Sequence, residues 1–182
     1  MSVKRFAAFL VCVNAFAMAS TAFAQSQVIR EEVEGITNFA RIETTVACAG
    51  AITPESVADI KNMGFSTIIN LRRPSEEGAN IEAEAAAAET AGIAFVHLPF
   101  GGEQLDTTVP DRFLETITQP GTQPAFIHCA GGGRAATMWF IKRVIVDDWD
   151  VDRAMEEATA LGLRPESRLR DFALEYIAAH AG

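Results

Sequence analysis

Cys129 and Arg134 enclose four residues, three of them glycine, in the run Phe126-Ile127-His128-Cys129-Ala130-Gly131-Gly132-Gly133-Arg134-Ala135. A thiolate is a nucleophile for covalent catalysis, and a guanidinium is a planar, two-pronged donor to oxyanions. Glycines at this spacing let the chain turn tightly and point several backbone N–H groups at one spot. The apolar residues after Arg134 predict a helix, whose first turn adds unpaired N–H groups and the positive end of its dipole. An anion is therefore expected in a cup made by the amides of Ala130, Gly131, Gly132, Gly133 and Arg134, closed by the Arg134 side chain. The same field suits a thiolate nucleophile at Cys129, because helix N-termini and neighbouring cations make thiols more acidic.

A cup of this kind needs a strand before it and a helix behind it. Residues 125–128 read as a short buried strand. Residues 135–147 read as a helix apolar nearly all round, with Met138, Trp139, Phe140, Ile141, Val144, Ile145 and Val146. A helix without a polar face belongs at the centre of a fold. Upstream, residues 41–48, 66–71 and 94–98 read as strands. Between them lie a helix opened by Thr53-Pro54-Glu55 and stopped at Gly64, and a high-propensity helix over 81–91 stopped by Gly92. The second of these, rich in Ala and Glu, reads as an exposed surface helix. A loop over 101–108, a short helix over 110–118 and two helices over 151–161 and 165–179 complete the chain. Strands alternating with helices predict an α/β fold, a mostly parallel central sheet flanked by helices. Ligands of such sheets bind beyond the carboxyl ends of strands, where Cys129 falls.

The rest of the chain bounds the possibilities. Lys4 and Arg5, an apolar stretch over residues 6–19 and Ala22-Phe23-Ala24 together read as a secretory leader cut before Gln25. The stretch is shorter than the roughly 20 residues of a membrane-spanning helix. The expected product is a periplasmic or secreted single domain, residues 25–182, without stable membrane insertion. Losing Lys4 and Arg5 takes the net charge from −9 to −11. So acidic a surface argues against nucleic acid as a partner, and against large polyanions unless the site is locally positive. Two cysteines remain, Cys48 and Cys129. In an oxidising compartment they form either a disulfide that locks the nucleophile or one packed and one working thiol, and packing is the plainer role for Cys48.

The His-Cys…Arg loop resembles the signature of Cys-dependent protein tyrosine and dual-specificity phosphatases. Roughly residues 36–162 resemble the bacterial beta-lactamase hydrolase-like, or phosphatase-like, branch of that group, through residues 53–71, 95–100, 128–139 and 148–162. The resemblance implies a phosphatase-like fold, a phosphorylated substrate (protein or small molecule), and no metal or other cofactor. It also implies a mechanism in which Cys129 attacks phosphorus to form a phosphocysteine. Arg134 and the loop amides then hold the equatorial oxygens, and a carboxylic acid protonates the leaving group. The family places that acid after the strand over 94–98, where Glu103, Asp106 and Asp111 stand; Asp106, preceded by Gly101-Gly102, is best able to swing over the site. His128 is expected either to steady the thiolate or to pack in the core.

Two features depart from the family pattern, which has five residues between Cys and Arg and a Ser or Thr after Arg. This chain has four residues and Ala135. The bacterial branch shares the shorter spacing. A Cys loop of that length also suits a rhodanese-like sulfurtransferase carrying a Cys129 persulfide, and loss of the hydroxyl suits a non-catalytic anion-binding domain. Arg72 and Arg73 read as surface ion-pair partners of Glu76 and Glu77, with room for one of them at the mouth of the cup.

Overall fold

The computed structural model describes residues 27–42 and 45–180; the expected leader, residues 1–24, lies outside them. The strands are β1 (Val28–Arg30), β2 (Ala40–Ile42), β3 (Val46–Ala49), β4 (Thr67–Asn70), β5 (Ala94–His97) and β6 (Ala125–His128). They form one sheet in the order β1-β2-β3-β6-β4-β5. The four strands β3, β6, β4 and β5 run parallel, and β1 and β2 extend the sheet antiparallel. The stretch expected as one strand over 41–48 is two. β3 pairs antiparallel with β2, with Ala40 opposite Cys48, and the Thr45 amide donates to the Ile42 carbonyl (3.0 Å).

A single 3-10 turn, Pro54–Ser56, leads into α1 (Val57–Asn62). The remaining helices are α2 (Ile81–Ala91), α3 (Thr108–Thr118), α4 (Gly133–Ile145), α5 (Val151–Leu161) and α6 (Arg168–His180). The helix α2 ends where Gly92 adopts a left-handed conformation, φ +65°, as the sequence predicts. The start of α4 comes two residues earlier than expected and takes Arg134 into its first turn.

The sheet separates two apolar layers. On one face Phe39, Phe65, Ile68 and Phe126 pack with Val57 and Ile60 of α1 and Ala88 of α2. Phe126 lies between Phe39 and Phe65, with ring centroids 6.0 and 5.6 Å away. On the other face Cys48, Ile69, Ile127 and Cys129 meet a layer centred on α4, whose Met138, Trp139, Phe140 and Ile141 are all fully buried. Helices α5 and α6 flank α4, which is why it is apolar along most of its length, its Lys142 and Arg143 pairing with Asp147 and Glu157 in the last turn. Each large apolar side chain so buried stabilises the fold by roughly 1.5–3 kcal/mol. The Trp139 indole N–H finds its partner in Glu157 Oε1 at 2.8 Å.

The parallel register fixes where chemistry can occur. Ala49, His128, Asn70 and His97 are aligned across the four parallel strands, so all four strands end at one edge of the sheet. The cup after β6, the segment 71–80 after β4 and the loop 101–107 after β5 therefore converge there.

Candidate active site

Cys129 follows β6 directly and is 1% exposed. Its amide still donates to the Ala49 carbonyl of β3 at 3.2 Å, so strand pairing anchors the residue. Beyond it the chain turns. The Ala130 carbonyl accepts from Ala51 N–H (3.0 Å), the Gly131 carbonyl from Asn38 Nδ2 (3.2 Å), and the Gly132 carbonyl from Ala136 N–H in α4 (3.0 Å). With its carbonyls tied to other groups, the loop offers an anion its N–H groups. One of these is already placed, since the Gly132 amide donates to Cys129 Sγ at 3.1 Å. Gly132 has φ +97°, a conformation that any side chain would strain.

Arg134 is arranged differently from the expected closing fork. Its Nη1 and Nη2 engage Glu76 Oε1 and Oε2 at 2.6 and 2.7 Å, and Nη1 also donates to the carbonyls of Phe100 (2.6 Å) and Leu71 (3.2 Å). The guanidinium is thereby fixed beside Cys129, with which it lines a cavity of about 390 Å³. Burial pushes the Glu76 carboxyl up, but hydrogen bonds from Arg134 and Arg73 and the Arg134 charge outweigh it and hold the group at about 2. Burial likewise works against the Arg134 charge, and the nearby Glu76 and Cys129 more than offset it, raising the guanidinium above its ordinary value. Gly101 leaves room for this arrangement: a Cβ there would stand 3.0 Å from Arg134 Nη1.

His128 turns to the opposite face of the sheet from Cys129, as successive strand residues must, and its ring tilts against Phe126. Its Nε2 lies 3.3 Å from Glu84 Oε2, and both residues are fully buried. Glu84 Oε2 accepts from Asn70 Nδ2 (2.6 Å), and Asn70 Oδ1 accepts from the Arg72 amide (2.7 Å). His128 thus packs against a buried acid and does not touch the thiol. The helix α2, expected to be wholly exposed, carries this buried carboxylate in its first turn. Nor is Arg72 a surface residue. It is 4% exposed and donates to the carbonyls of Glu77 and Gly78, while Arg73 is the one that reaches the mouth of the site.

Residues 38–146 match the family model described as the phosphatase-like domain of beta-lactamase hydrolase-like protein. The chain belongs to this family. The beta-lactamase hydrolase-like protein of Agrobacterium fabrum is 30% identical over 104 residues, which is 56% of this chain; the chain spans only 24% of that protein's length. The fold is shared with the core catalytic domain of the PP-IP phosphatase SIW14 from S. cerevisiae, solved with citrate (18% identity, TM-score 0.62, covering 80% of this chain and 88% of that one). It is also shared with P. aeruginosa TpbA, solved with pTyr (18% identity, TM-score 0.60, covering 84% and 96%). A DUF442 protein from Shewanella putrefaciens CN-32 has it too (18% identity, TM-score 0.67, covering 80% and 95%). The phosphatase-like fold expected from the loop signature is the fold of this phosphatase-like domain.

The structure gathers Cys129, Arg134 and the amides of 130–134, and leaves the expected acid apart from them. Asp106 Oδ1 accepts from the Thr108 amide and hydroxyl, both at 2.8 Å, which caps the first turn of α3. These hydrogen bonds hold the exposed carboxyl below its ordinary value, and Asp106 lines neither hollow at the mouth of the site. Asp111 accepts from the Tyr176 hydroxyl; burial and that carboxylate push the phenol well up. Glu103 is exposed, and its backbone carbonyl accepts from Arg168 Nη2 at 2.7 Å. Ala135 is fully buried. Cys48 and Cys129 are free and share one apolar layer; burial first, then the neighbouring Cys129, push the Cys48 thiol well up, which suits a packed residue.

Four residues at or behind the site were not assigned from sequence: Glu76 as the anchor of Arg134, Glu84 behind His128, and Arg164 and Arg168 in the cavity wall. Glu76 left a signal, since it follows the carboxyl end of β4. The two arginines left none, because only the fold brings the connection between α5 and α6 to Cys129. A hollow of about 440 Å³ by Trp149, Arg153 and Glu157 is slightly larger but holds no nucleophile, so size does not decide the site. Among the described residues no cluster of His, Cys, Asp or Glu is placed to hold a metal, and no helix is long and apolar enough to cross a membrane.

Proposed function

We propose that the chain is an exported Cys-dependent phosphatase that hydrolyses phosphate monoesters, protein tyrosine or other, through a phosphocysteine. Cys129 Sγ attacks phosphorus opposite the ester oxygen, so that the S–P bond forms as the P–O bond breaks. The amides of 130–134 and Arg134 carry the charge on the equatorial oxygens. Asp106 gives its proton to the leaving oxygen once the 101–107 loop swings inward on Gly101 and Gly102. Water then attacks phosphorus, Asp106 takes a proton from it, and phosphate and the thiolate are released.

One observation carries this reading. The Gly132 amide stands 3.1 Å from Cys129 Sγ, beside an arginine held in place by Glu76, in a chain of the phosphatase-like family. A guanidinium already fixed in one plane loses less freedom when an oxyanion binds. TpbA, which has this fold, was solved in complex with pTyr, which supports a phosphate monoester as the substrate class. The basic, apolar and small-residue pattern of residues 1–24 supports export, and a secreted form beginning at Gln25 is the expected product.

The test compares the reduced protein with its Cys129→Ser variant on an aryl phosphate and on thiosulfate plus cyanide. Phosphate release that depends on Cys129 is expected. Thiocyanate formation alone would instead make Cys129 a persulfide carrier, and phosphate binding with neither reaction would leave an anion-binding domain.

A further inference from the structure

The wall of the Cys129 cavity opposite the cup comes from the connection between α5 and α6 and the first residue of α6, through Gly162, Arg164, Ser167 and Arg168. No carboxylate and no aromatic side chain lines it, and Leu169 is its one large apolar contributor. An adjoining hollow of about 270 Å³ shares Arg134, Arg168 and Leu169 and adds Arg73. The single carboxylate there, Glu76, is engaged by Arg134 and Arg73. Four arginines therefore border the path outward from the thiol, on a chain whose net charge is −9. Cations gathered at one mouth of an otherwise acidic molecule focus its field there and draw in anions that the remaining surface repels. The volume, about 390 Å³, is several times that of one phosphate group, so a substrate's remaining part also lies among these side chains. A neutral aromatic group would find little to pack against.

We infer that the substrate is a small phosphate monoester carrying a second anionic group, and that Arg164, with Arg168, binds that second group. This rests on the hydrolase reading above. Arg164 is exposed at the cavity wall, and Arg168 already reaches across the mouth to the carbonyls of Gly102 (3.2 Å) and Glu103 (2.7 Å). A phosphate at this position makes charge-assisted hydrogen bonds, and these decide between substrates that share one scissile group.

The experiment uses butane-1,4-diol monophosphate and bisphosphate, which share a leaving group and differ in the distal anion. The reduced protein should favour the bisphosphate in kcat/KM by at least about tenfold. Arg164→Glu should bring that ratio close to one, and Arg164→Lys should retain part of it. Calorimetry on the Cys129→Ser protein gives a second readout without turnover: pyrophosphate should bind more tightly than orthophosphate, and Arg164→Glu should remove the difference. Turnover with a ratio near one, unaffected by Arg164→Glu, overturns this inference and leaves the hydrolase reading standing. Absence of any Cys129-dependent phosphate release, with the pyrophosphate preference intact, overturns the hydrolase reading and leaves the second-anion site.

Discussion

His128 and Cys129 are neighbours in the chain and lie on opposite faces of one sheet, each beside a carboxylate-centred cluster. On the Cys129 face the Arg134–Glu76 pair borders a cavity, with side chains 13% and 14% exposed. On the His128 face Glu84, Asn70 and His128 are entirely enclosed, and among the described residues Glu84 Oε1 and both ring nitrogens of His128 lack a hydrogen-bond partner. Charges at a cavity edge can exchange partners with an arriving ligand. Enclosed polar groups have no alternative partner, so breaking their cluster is expensive and keeping it serves shape. The two clusters meet in one segment. Asn70 holds the Arg72 amide, and the Arg72 side chain gathers the carbonyls of Glu77 and Gly78, which shapes the turn that presents Glu76 to Arg134. The rear cluster thus supports the front one through backbone, not through contact with the thiol.

The contrast predicts that substitutions on the two faces fail in different ways. Cys129→Ser should reduce phosphate release by at least about 10³-fold, while changing stability by no more than about 1 kcal/mol. Glu84→Ala should do the opposite. It leaves Asn70 and His128 facing an empty site, and stability should fall by roughly 3 kcal/mol, read as a lower urea midpoint at unchanged slope. Glu84→Gln keeps an acceptor for Asn70 and should cost about half as much. A Glu84→Ala protein of wild-type stability but without activity would dissolve the division between a structural and a chemical face.

How much of this was legible in the residues depends on the distance over which each feature is encoded. The strand, cup and helix around Cys129 are contiguous, so glycine spacing and flanking apolar residues predict them together. The apolar residues Met138 to Ile141 and Val144 to Val146 likewise announce the burial of α4. Residues 41–48 failed as one strand because the residue types do not reveal where a chain folds back on itself; the antiparallel pairing of Ile42 with Val46 shows it. Glu84 was invisible for another reason. In a helix of Ala and Glu every carboxylate looks solvated, and only packing of α2 on the sheet selects Glu84, four residues before the buried Ala88, to face His128. Arg134 belongs to the contiguous loop that the glycine spacing marks, but its partner Glu76 lies 58 residues away in sequence and comes to it through the parallel pairing of β4 with β6.

Glu76→Gln sharpens the front side of the comparison. The Gln amide holds Arg134 less firmly, and kcat/KM should fall by roughly 10- to 100-fold through misplacement of the guanidinium. Its pH signature is distinct. A carboxyl held at about 2 in the folded protein, against an ordinary value of 4.5, stabilises the fold above pH 4.5, and that contribution disappears as the pH falls toward 2. The stability difference between wild type and variant should therefore be greatest above about pH 5 and close to nothing near pH 2. A constant difference across that range would mean that Glu76 acts through packing and not through its charge.

Asp106→Asn gives the smallest effect and tests whether a third setting, outside both clusters, belongs to the chemistry at all. Asn accepts the Thr108 hydrogen bonds about as well as Asp, so the cap on α3 persists and the melting temperature should not change. What the variant lacks is a proton to give. An aryl phosphate with an acidic leaving group scarcely needs one, and its turnover should fall only a few-fold. An alkyl phosphate needs protonation, and its turnover should fall by about 10²-fold. The pH dependence follows from the resting geometry. Hydrogen bonds from Thr108 keep Asp106 ionised below the ordinary carboxylate range, so the protonated fraction shrinks as the pH rises. The ratio of wild-type to variant turnover of the alkyl phosphate should therefore fall as the pH rises from about 5 to 7, the substrate's own ionisation being common to both proteins. Equal losses on the two substrates, or a ratio that does not change with pH, would reduce Asp106 to the helix cap that its resting hydrogen bonds describe, and would move the search for the proton donor elsewhere.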